Sequence, residues 1–124
     1  MMTGQKANLS DIKIANFIIE HPAEIYDDLI RDQNAEFFYH LSSLRRSLLT
    51  WFPFTATGSV LEINGGFGAL TGLLSEKFSR VDTLEPNSLR AESLDRRYSD
   101  KKNINVLRET IDQFDTSEKY YAII

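Results

Sequence analysis

Apolar residues recur at helical spacing in the first thirty residues of the chain. Between residues 12 and 19 they return at three- and four-residue steps, which predicts an amphipathic helix. Ser10 precedes this run, and its hydroxyl group is suited to capping the helix. Pro22 interrupts the pattern. Because proline is favoured at the first helical position, we expect a second short helix over residues 22–30.

A longer stripe of apolar side chains predicts a third helix over residues 34–51. Asn34 is a suitable cap, and Pro53 ends the segment before a loop at residues 55–58. Two interpretations stay open: the helix packs against the next part of the chain, or it forms a lid or dimer contact that helps to close a substrate pocket. The stripe consists of Phe37, Leu41, Leu44, Leu48 and Trp51.

From residue 59 onward, short apolar runs alternate with helical ones. The strands are predicted at 59–63, 81–85, 104–107 and 120–124, the helices at 69–78 and 88–98, and a single helical turn at 110–114. Strands alternating with helices form a parallel sheet that is covered on both faces. The expected fold class is therefore α/β, a Rossmann-like parallel sheet of about four strands preceded by an N-terminal helical segment.

The change of pattern divides the chain in two. Residues 1–57 form an N-terminal helical lead-in or lid, and residues 58–124 form a Rossmann-like half-domain. The apolar run at 120–124 has no helix after it, so we expect the half-domain to be truncated at its C-terminal end. A homodimer through the N-terminal helices or through the open sheet edge is a further expectation.

Composition and charge narrow the class of protein. The 124 residues suffice for one domain, and 42% hydrophobic and 26% charged residues are typical of globular proteins. A net charge of -4 provides no electrostatic footprint for nucleic acid. No run reaches the roughly 20 apolar residues of a membrane helix. The chain has no cysteine and two histidines, so we expect no metal site. Together with the charge and the short apolar runs, this composition predicts a cytoplasmic protein that binds neither nucleic acid nor a membrane.

The candidate chemistry lies in a glycine-rich turn between the first strand and the next helix. Gly66 and Gly68 let the backbone approach a ligand that a Cβ atom would repel, and the amides at the helix start donate to an anionic group. Glu85 ends the next strand, where a carboxylate can accept hydrogen bonds from ribose hydroxyls. The pattern predicts an adenosine-containing ligand in a gap between the turn and Glu85.

The motif does not fit the two common phosphate-binding loops. A dinucleotide fingerprint, G-x-G-x-x-G/A, would end at Thr71, which is a poor match. The G-K-[ST] sequence of a Walker loop is absent. The mismatch at Thr71 disfavours a nicotinamide-dependent oxidoreductase.

Residues 60–71 resemble motif I of class I S-adenosylmethionine (SAM)-dependent methyltransferases, in which an apolar pair, an acid and an apolar residue precede G-x-G-x-G. The resemblance extends to Glu85 at the motif II acid and, more weakly, to residues 120–124 as the start of strand four. Residues 38–54 are similar to the helical lead-in of bacterial methyltransferases that accompany glycosyltransferases of polysaccharide synthesis. The resemblance to the family implies SAM as cofactor and a small molecule as methyl acceptor. The similarity to the methyltransferases of polysaccharide synthesis further implies that this acceptor is related to a glycan.

The resemblance also implies roles for individual residues. Glu62 would lie near the amino group of SAM, and Glu85 would hold the ribose hydroxyls. Pro86 and Asn87 would border the adenine. Thr110 occupies the motif III acid position, and Ile111 would pack near the adenine. The turn backbone would line the methionine and ribose portions through Asn64, Gly65, Gly66 and Gly68.

Three positions depart from the family pattern. Asn64 replaces the first glycine, so its backbone is expected to need a positive φ, which asparagine tolerates better than most residues. Thr110 and Tyr121 replace acids. No side chain stands out as a general base. Because the sequence ends before the loop after strand four, where many family members keep catalytic or substrate-contacting residues, methyl transfer by this chain alone is not expected. The alternatives are a non-catalytic methyltransferase-like binding module and a NAD-dependent Rossmann oxidoreductase.

Overall fold

The computed structural model describes residues 8–22, 25–54 and 58–124. Helices and strands follow one another along the chain as α1 (Leu9–Glu20), α2 (Ala35–Leu41), α3 (Ser47–Thr50), β1 (Ser59–Ile63), α4 (Thr71–Lys77), β2 (Arg80–Leu84), α5 (Ser88–Arg97), β3 (Ile104–Leu107) and β4 (Ala122–Ile123). A 3-10 turn, Ser43–Arg46, connects α2 to α3. Residues 55–57, which belong to the loop predicted at 55–58, lie outside the described residues.

The four strands form one parallel sheet in the order β3-β2-β1-β4. Val60 of β1 pairs with Val81 of β2 and with Ala122 of β4, so apolar side chains align on one face. Leu74 and Phe78 cover that face and bury Val60 and Val81. The parallel order confirms the predicted α/β Rossmann-like class, although β4 is shorter than the predicted run at 120–124.

A second apolar cluster joins the N-terminal segment to the sheet domain. It contains buried side chains of the first 41 residues together with Phe67 of the glycine turn, and Leu89 of α5 packs against it. Phe67 therefore lies in the core that α1 and α2 supply. The buried members from the N-terminal segment are Ile14, Ala15, Ile18, Tyr26, Ile30, Phe37 and Leu41.

The start of α1 differs from the sequence prediction. Asn8, not Ser10, is the cap, and its side chain accepts a hydrogen bond from the amide of Asp11. The hydroxyl of Ser10 instead contacts the carboxylate of Glu36. Asparagine and serine are comparable caps, and here a tertiary contact occupies the serine.

The second short helix predicted after Pro22 is absent from the described residues 25–33. This segment forms hydrogen-bonded turns, in which the amides of Leu29 and Ile30 both donate to the carbonyl of Tyr26. Tyr26 is fully buried, and its hydroxyl donates to the carbonyl of His21 at 2.8 Å. The segment around the buried Tyr26 therefore forms turns in place of the predicted helix.

The long helix predicted over 34–51 is broken at Ser42. Asn34 caps α2 as expected, but Ser42 has ψ 141°, and its hydroxyl accepts from the amide of Leu44. Ser43 donates from its amide to Asp27 at 2.8 Å. The break rotates the second half of the predicted stripe out of the core, so Leu44, Leu48 and Trp51 are exposed.

The remaining elements agree with prediction apart from their ends. The predicted 69–78 helix begins two residues later, at Thr71, and the predicted 88–98 helix ends at Arg97. The amide of Phe114 donates to the carbonyl of Thr110, which confirms a single turn there. None of the helices in the described ranges is long and apolar enough to cross a membrane.

Candidate functional site

The glycine turn connects β1 to α4 at the carboxyl edge of the sheet. Three of its residues have positive φ: Asn64 at 57°, Gly66 at 63° and Gly68 at 90°. The value at Asn64 confirms that this position needs a left-handed backbone. The amide of Gly65 donates to the carbonyl of Leu84, which ties the turn to the end of β2.

Each glycine in the turn has a different surrounding. A Cβ atom on Gly65 would lie 2.3 Å from Oγ1 of Thr83, so close packing excludes a side chain there. A Cβ atom on Gly68 would lie 2.6 Å from the ring of Tyr98, whose hydroxyl donates to the Gly68 carbonyl. A Cβ atom on Gly66 would meet no atom within 4 Å. Gly66 is therefore the glycine that leaves backbone open to a ligand.

Glu85 holds the turn directly. Its Oε1 accepts from the amide of Gly66 at 2.9 Å, and its Oε2 accepts from the amide of Asn87 at 2.9 Å. The expected gap between turn and acid is therefore wrong, because the two are in contact. A carboxylate has about four lone-pair positions, so about two stay available for a ligand. A nucleoside would lie beside the pair, not between its members.

A cavity of about 550 Å³ lies beside this contact. Its volume falls within the range of about 300–1,000 Å³ that is usual for small-molecule sites. Glu85 and Pro86, both predicted site residues, line it together with Asn64. The other lining residues are Asn8, Asp11, Asn87 and Arg90.

A smaller cavity of about 160 Å³ adjoins the first, since Asn64 and Arg90 line both spaces. Glu62, Gly65 and Gly66 line the smaller cavity. The other residues around it are Tyr39, His40, Arg45, Ile63, Phe67, Ala69 and Leu70. Asn64, Gly65 and Gly66 thus line a site of two parts, and each part contains polar groups.

Glu62 is buried in the smaller part of the site. Its side chain accepts a hydrogen bond from the hydroxyl of Thr71 at 2.6 Å. Burial raises the pKa of the Glu62 carboxyl, and the hydrogen bond from Thr71 opposes that shift. An ionised Glu62 would gain stability from a cationic ligand group.

Arg90 connects the site to the N-terminal helix. Its guanidinium donates to both oxygens of Asp11, at 2.7 and 3.1 Å, and lies over the ring of Phe67. The hydrogen bond to Asp11 raises the pKa of Arg90. His40 also lines the site, and burial, followed by the charge of Arg90, lowers its pKa, which favours the neutral ring.

Not every predicted site residue lines these cavities. Gly68 faces α5, and Thr110 and Ile111 are not among the residues around either space. In contrast, Asp11, Arg45 and Arg90 line the cavities but were not predicted from the sequence. Asp11 and Arg90 are 79 positions apart, and no local pattern relates them. Arg45 does not belong to the apolar stripe of the predicted 34–51 helix, and this polar position is the only feature of the sequence that could have pointed to a site role.

Comparison with known proteins identifies the fold. No family model and no curated protein sequence matches the chain. Among solved structures, phosphoethanolamine N-methyltransferase 1 of Haemonchus contortus, in complex with phosphoethanolamine and S-adenosylhomocysteine, is similar to 93% of this chain, with 17% identity and a TM-score of 0.59. The match covers 24% of that enzyme.

Two further structures agree with this match. A protein of Methanococcus maripaludis, assigned as a SAM-dependent methyltransferase, is similar to 97% of this chain at 17% identity and a TM-score of 0.56, and 51% of it is covered. A dimethyladenosine transferase of Plasmodium falciparum is similar to 56% of the chain at 24% identity and a TM-score of 0.52, with 26% covered. The chain thus spans between a quarter and half of these proteins, and its Rossmann-like fold is similar to theirs.

Proposed function

We propose that this chain binds SAM and forms the cofactor-binding part of a methyltransferase for a small-molecule acceptor. One observation carries the proposal: the open backbone of Gly66 contacts Glu85 beside a nucleoside-sized cavity at the carboxyl edge of a parallel sheet. Ligands of open α/β sheets bind at this edge. The similarity of the fold to SAM-dependent methyltransferases supports the same assignment.

The two cavities suit the two ends of the cofactor. The larger one would take the adenosine part, with the free lone pairs of Glu85 accepting from the ribose hydroxyls and Pro86 beside the adenine. The smaller one would take the methionine part next to Glu62. Thr110 and Ile111, for which the family resemblance implies an adenine-side role, do not line the larger cavity.

SAM supplies an electrophilic methyl group on its sulfonium, which an acceptor nucleophile attacks in line. The residues of this chain would contribute alignment, which lowers a barrier by several kcal/mol through proximity. We further propose an acceptor with a sugar hydroxyl, on the basis of the similarity of residues 38–54 to methyltransferases of polysaccharide synthesis. The similarity to known structures concerns the fold and does not specify an acceptor.

A methyltransferase-like binding module is the second candidate. Both oxygens of Glu85 already accept hydrogen bonds from backbone amides, so this acid also has a structural role without a ligand. The departures at Asn64, Thr110 and Tyr121 favour the same candidate. A NAD-dependent enzyme is disfavoured, because Thr71 stands at the last glycine or alanine of the dinucleotide motif and its hydroxyl is bound to Glu62.

Isothermal titration of the chain with SAM, S-adenosylhomocysteine and NAD tests these candidates. We expect S-adenosylhomocysteine to bind at least tenfold more tightly than NAD. Glu85→Gln should weaken that binding by about tenfold, because it removes the charge and replaces one of the two oxygens that accept from backbone amides with an NH2 group that cannot accept. Glu92→Gln, an exposed change on α5, is the matched control. Binding of NAD alone would contradict the proposal, and no binding would favour the module.

A further inference from the structure

The smaller cavity contains side chains of opposite charge. Glu62 supplies a buried carboxylate, and Arg45 of the 3-10 turn supplies a guanidinium. Both groups line the same cavity of about 160 Å³. A ligand group that satisfies both must itself carry a positive and a negative charge.

The break in the predicted long helix accounts for the position of Arg45. Ser42 ends α2 and starts the 3-10 turn, so Arg45 lines the cavity while its neighbour Arg46 pairs with Glu76 at 3.2 Å. The Arg45 guanidinium lies 4.5 Å from the centre of the Tyr39 ring, which holds it by a cation–π contact. The two neighbouring arginines thus have different surroundings.

Arg45 has no ion-pair partner among residues 8–22, 25–54 and 58–124. The other cationic candidates of the cavity are already compensated. Arg90 is bound to both oxygens of Asp11, and His40 favours its neutral form. Arg45 is therefore the group best placed to receive a negative charge from a ligand.

We propose that Arg45 binds the α-carboxylate of the cofactor, next to the position that the family resemblance already implies for Glu62 at its amino group. The inference rests on the proposed function, since it requires a ligand with a free amino acid end. Charge-assisted hydrogen bonds between a guanidinium and a carboxylate are roughly twice as strong as neutral ones. The N-terminal segment is then part of the binding site and does not only pack against it.

Titration with three ligands tests the role of Arg45. S-adenosylhomocysteine carries both charges, its decarboxylated analogue carries only the ammonium, and 5′-methylthioadenosine carries neither. For Arg45→Gln we expect the affinity for S-adenosylhomocysteine to fall by about 10- to 100-fold. The affinities for the other two ligands should stay within about twofold, because neither has a carboxylate. Arg45→Lys keeps the charge and should restore part of the loss. Arg96→Gln, in an exposed pair, is the control.

The outcomes separate the inference from the function on which it depends. If the native chain binds none of the three nucleosides, the proposed function fails and the inference fails with it. If the native chain binds them but Arg45→Gln changes all three affinities equally, Arg45 acts on the fold and not on the carboxylate. If Arg45→Gln changes none of them, the carboxylate is bound elsewhere. Either of these last two results overturns the inference alone.

Discussion

Gly65 and Gly66 are adjacent, but the structure requires a glycine at each for a different reason. An alanine Cβ at Gly65 would lie 2.3 Å from Oγ1 of Thr83, and Leu94 and Glu62 close off the other directions. Gly66 has open space but a φ of 63°. We expect Gly65→Ala to lower the free energy of unfolding by about 2–3 kcal/mol through overpacking. Gly66→Ala should lower it by about 1 kcal/mol through backbone strain. Urea denaturation of both variants measures the difference, and equal costs would show that the crowding at Gly65 is relieved.

The buried carboxyl of Glu62 gives a prediction about pH. Burial raises its folded-state pKa above the usual value, so its contribution to stability is complete at low pH and is lost as the pH rises through the folded-state pKa. Glu62→Gln removes the ionisation but keeps an acceptor for the hydroxyl of Thr71. Relative to the native chain, we expect Glu62→Gln to gain stability as the pH rises above 4.5, the usual pKa of the carboxyl, and to stop gaining once the pH exceeds the raised folded-state pKa.

Free energies of unfolding, measured at closely spaced pH values, provide the comparison. Glu20→Gln, which removes an exposed carboxylate at the end of α1, controls for the general loss of a surface charge. A stability difference between native chain and Glu62→Gln that does not change with pH would show that burial does not perturb this carboxyl.

The sequence allows only the local part of the site to be predicted. The glycines, Glu62 and Glu85 belong to strand ends and a turn, whose relative positions follow from short-range pattern. The positive φ of Asn64 was predictable for the same reason. Arg45 could not be placed, because its position depends on the break at Ser42.

At the scale of elements, periodicity predicted the strands better than the N-terminal helices. The strands bury apolar runs between helices, so hydrophobic pattern alone locates them. The break at Ser42 depends on a different interaction, in which the amide and hydroxyl of Ser43 donate to the distant carboxylate of Asp27. Serine side chains compete with the helical backbone for hydrogen bonds. A tertiary contact decides that competition, and the sequence pattern does not contain it.

The packing of α1 on α5 gives a prediction at the same scale. Asp11 is buried, and its two hydrogen bonds to Arg90 join the helices. Asp11→Ala would leave the guanidinium partly buried without its partner, which should cost about 2–3 kcal/mol. Asp28→Ala removes the same group from an exposed pair with Arg31 and should change stability by less than about 1 kcal/mol. Thermal or urea unfolding of the two variants tests this, and similar costs would mean that Asp11 does not stabilise the helix contact.

For the molecule as a whole, the N-terminal segment and the sheet domain share apolar packing. Phe67 belongs to the turn of the predicted 58–124 half-domain, yet its ring is buried among side chains of α1 and α2. The sequence boundary at residue 57 marks a change in periodicity. The core crosses that boundary, which makes the two parts mutually dependent for their stability.

This dependence predicts that both parts unfold together. Hydrogen exchange followed by mass spectrometry should give amides of α1 and of β1 the same free energy of opening, because loss of either side exposes Phe67. Phe67→Ala should lower both values by about 3–5 kcal/mol. Phe52→Ala, which truncates an exposed ring of the N-terminal segment, should leave both nearly unchanged. If α1 instead exchanged at a much lower free energy than β1, the segment would be a separate unit docked on the sheet, and Arg45 would then lie on an element able to detach from the cofactor cavity.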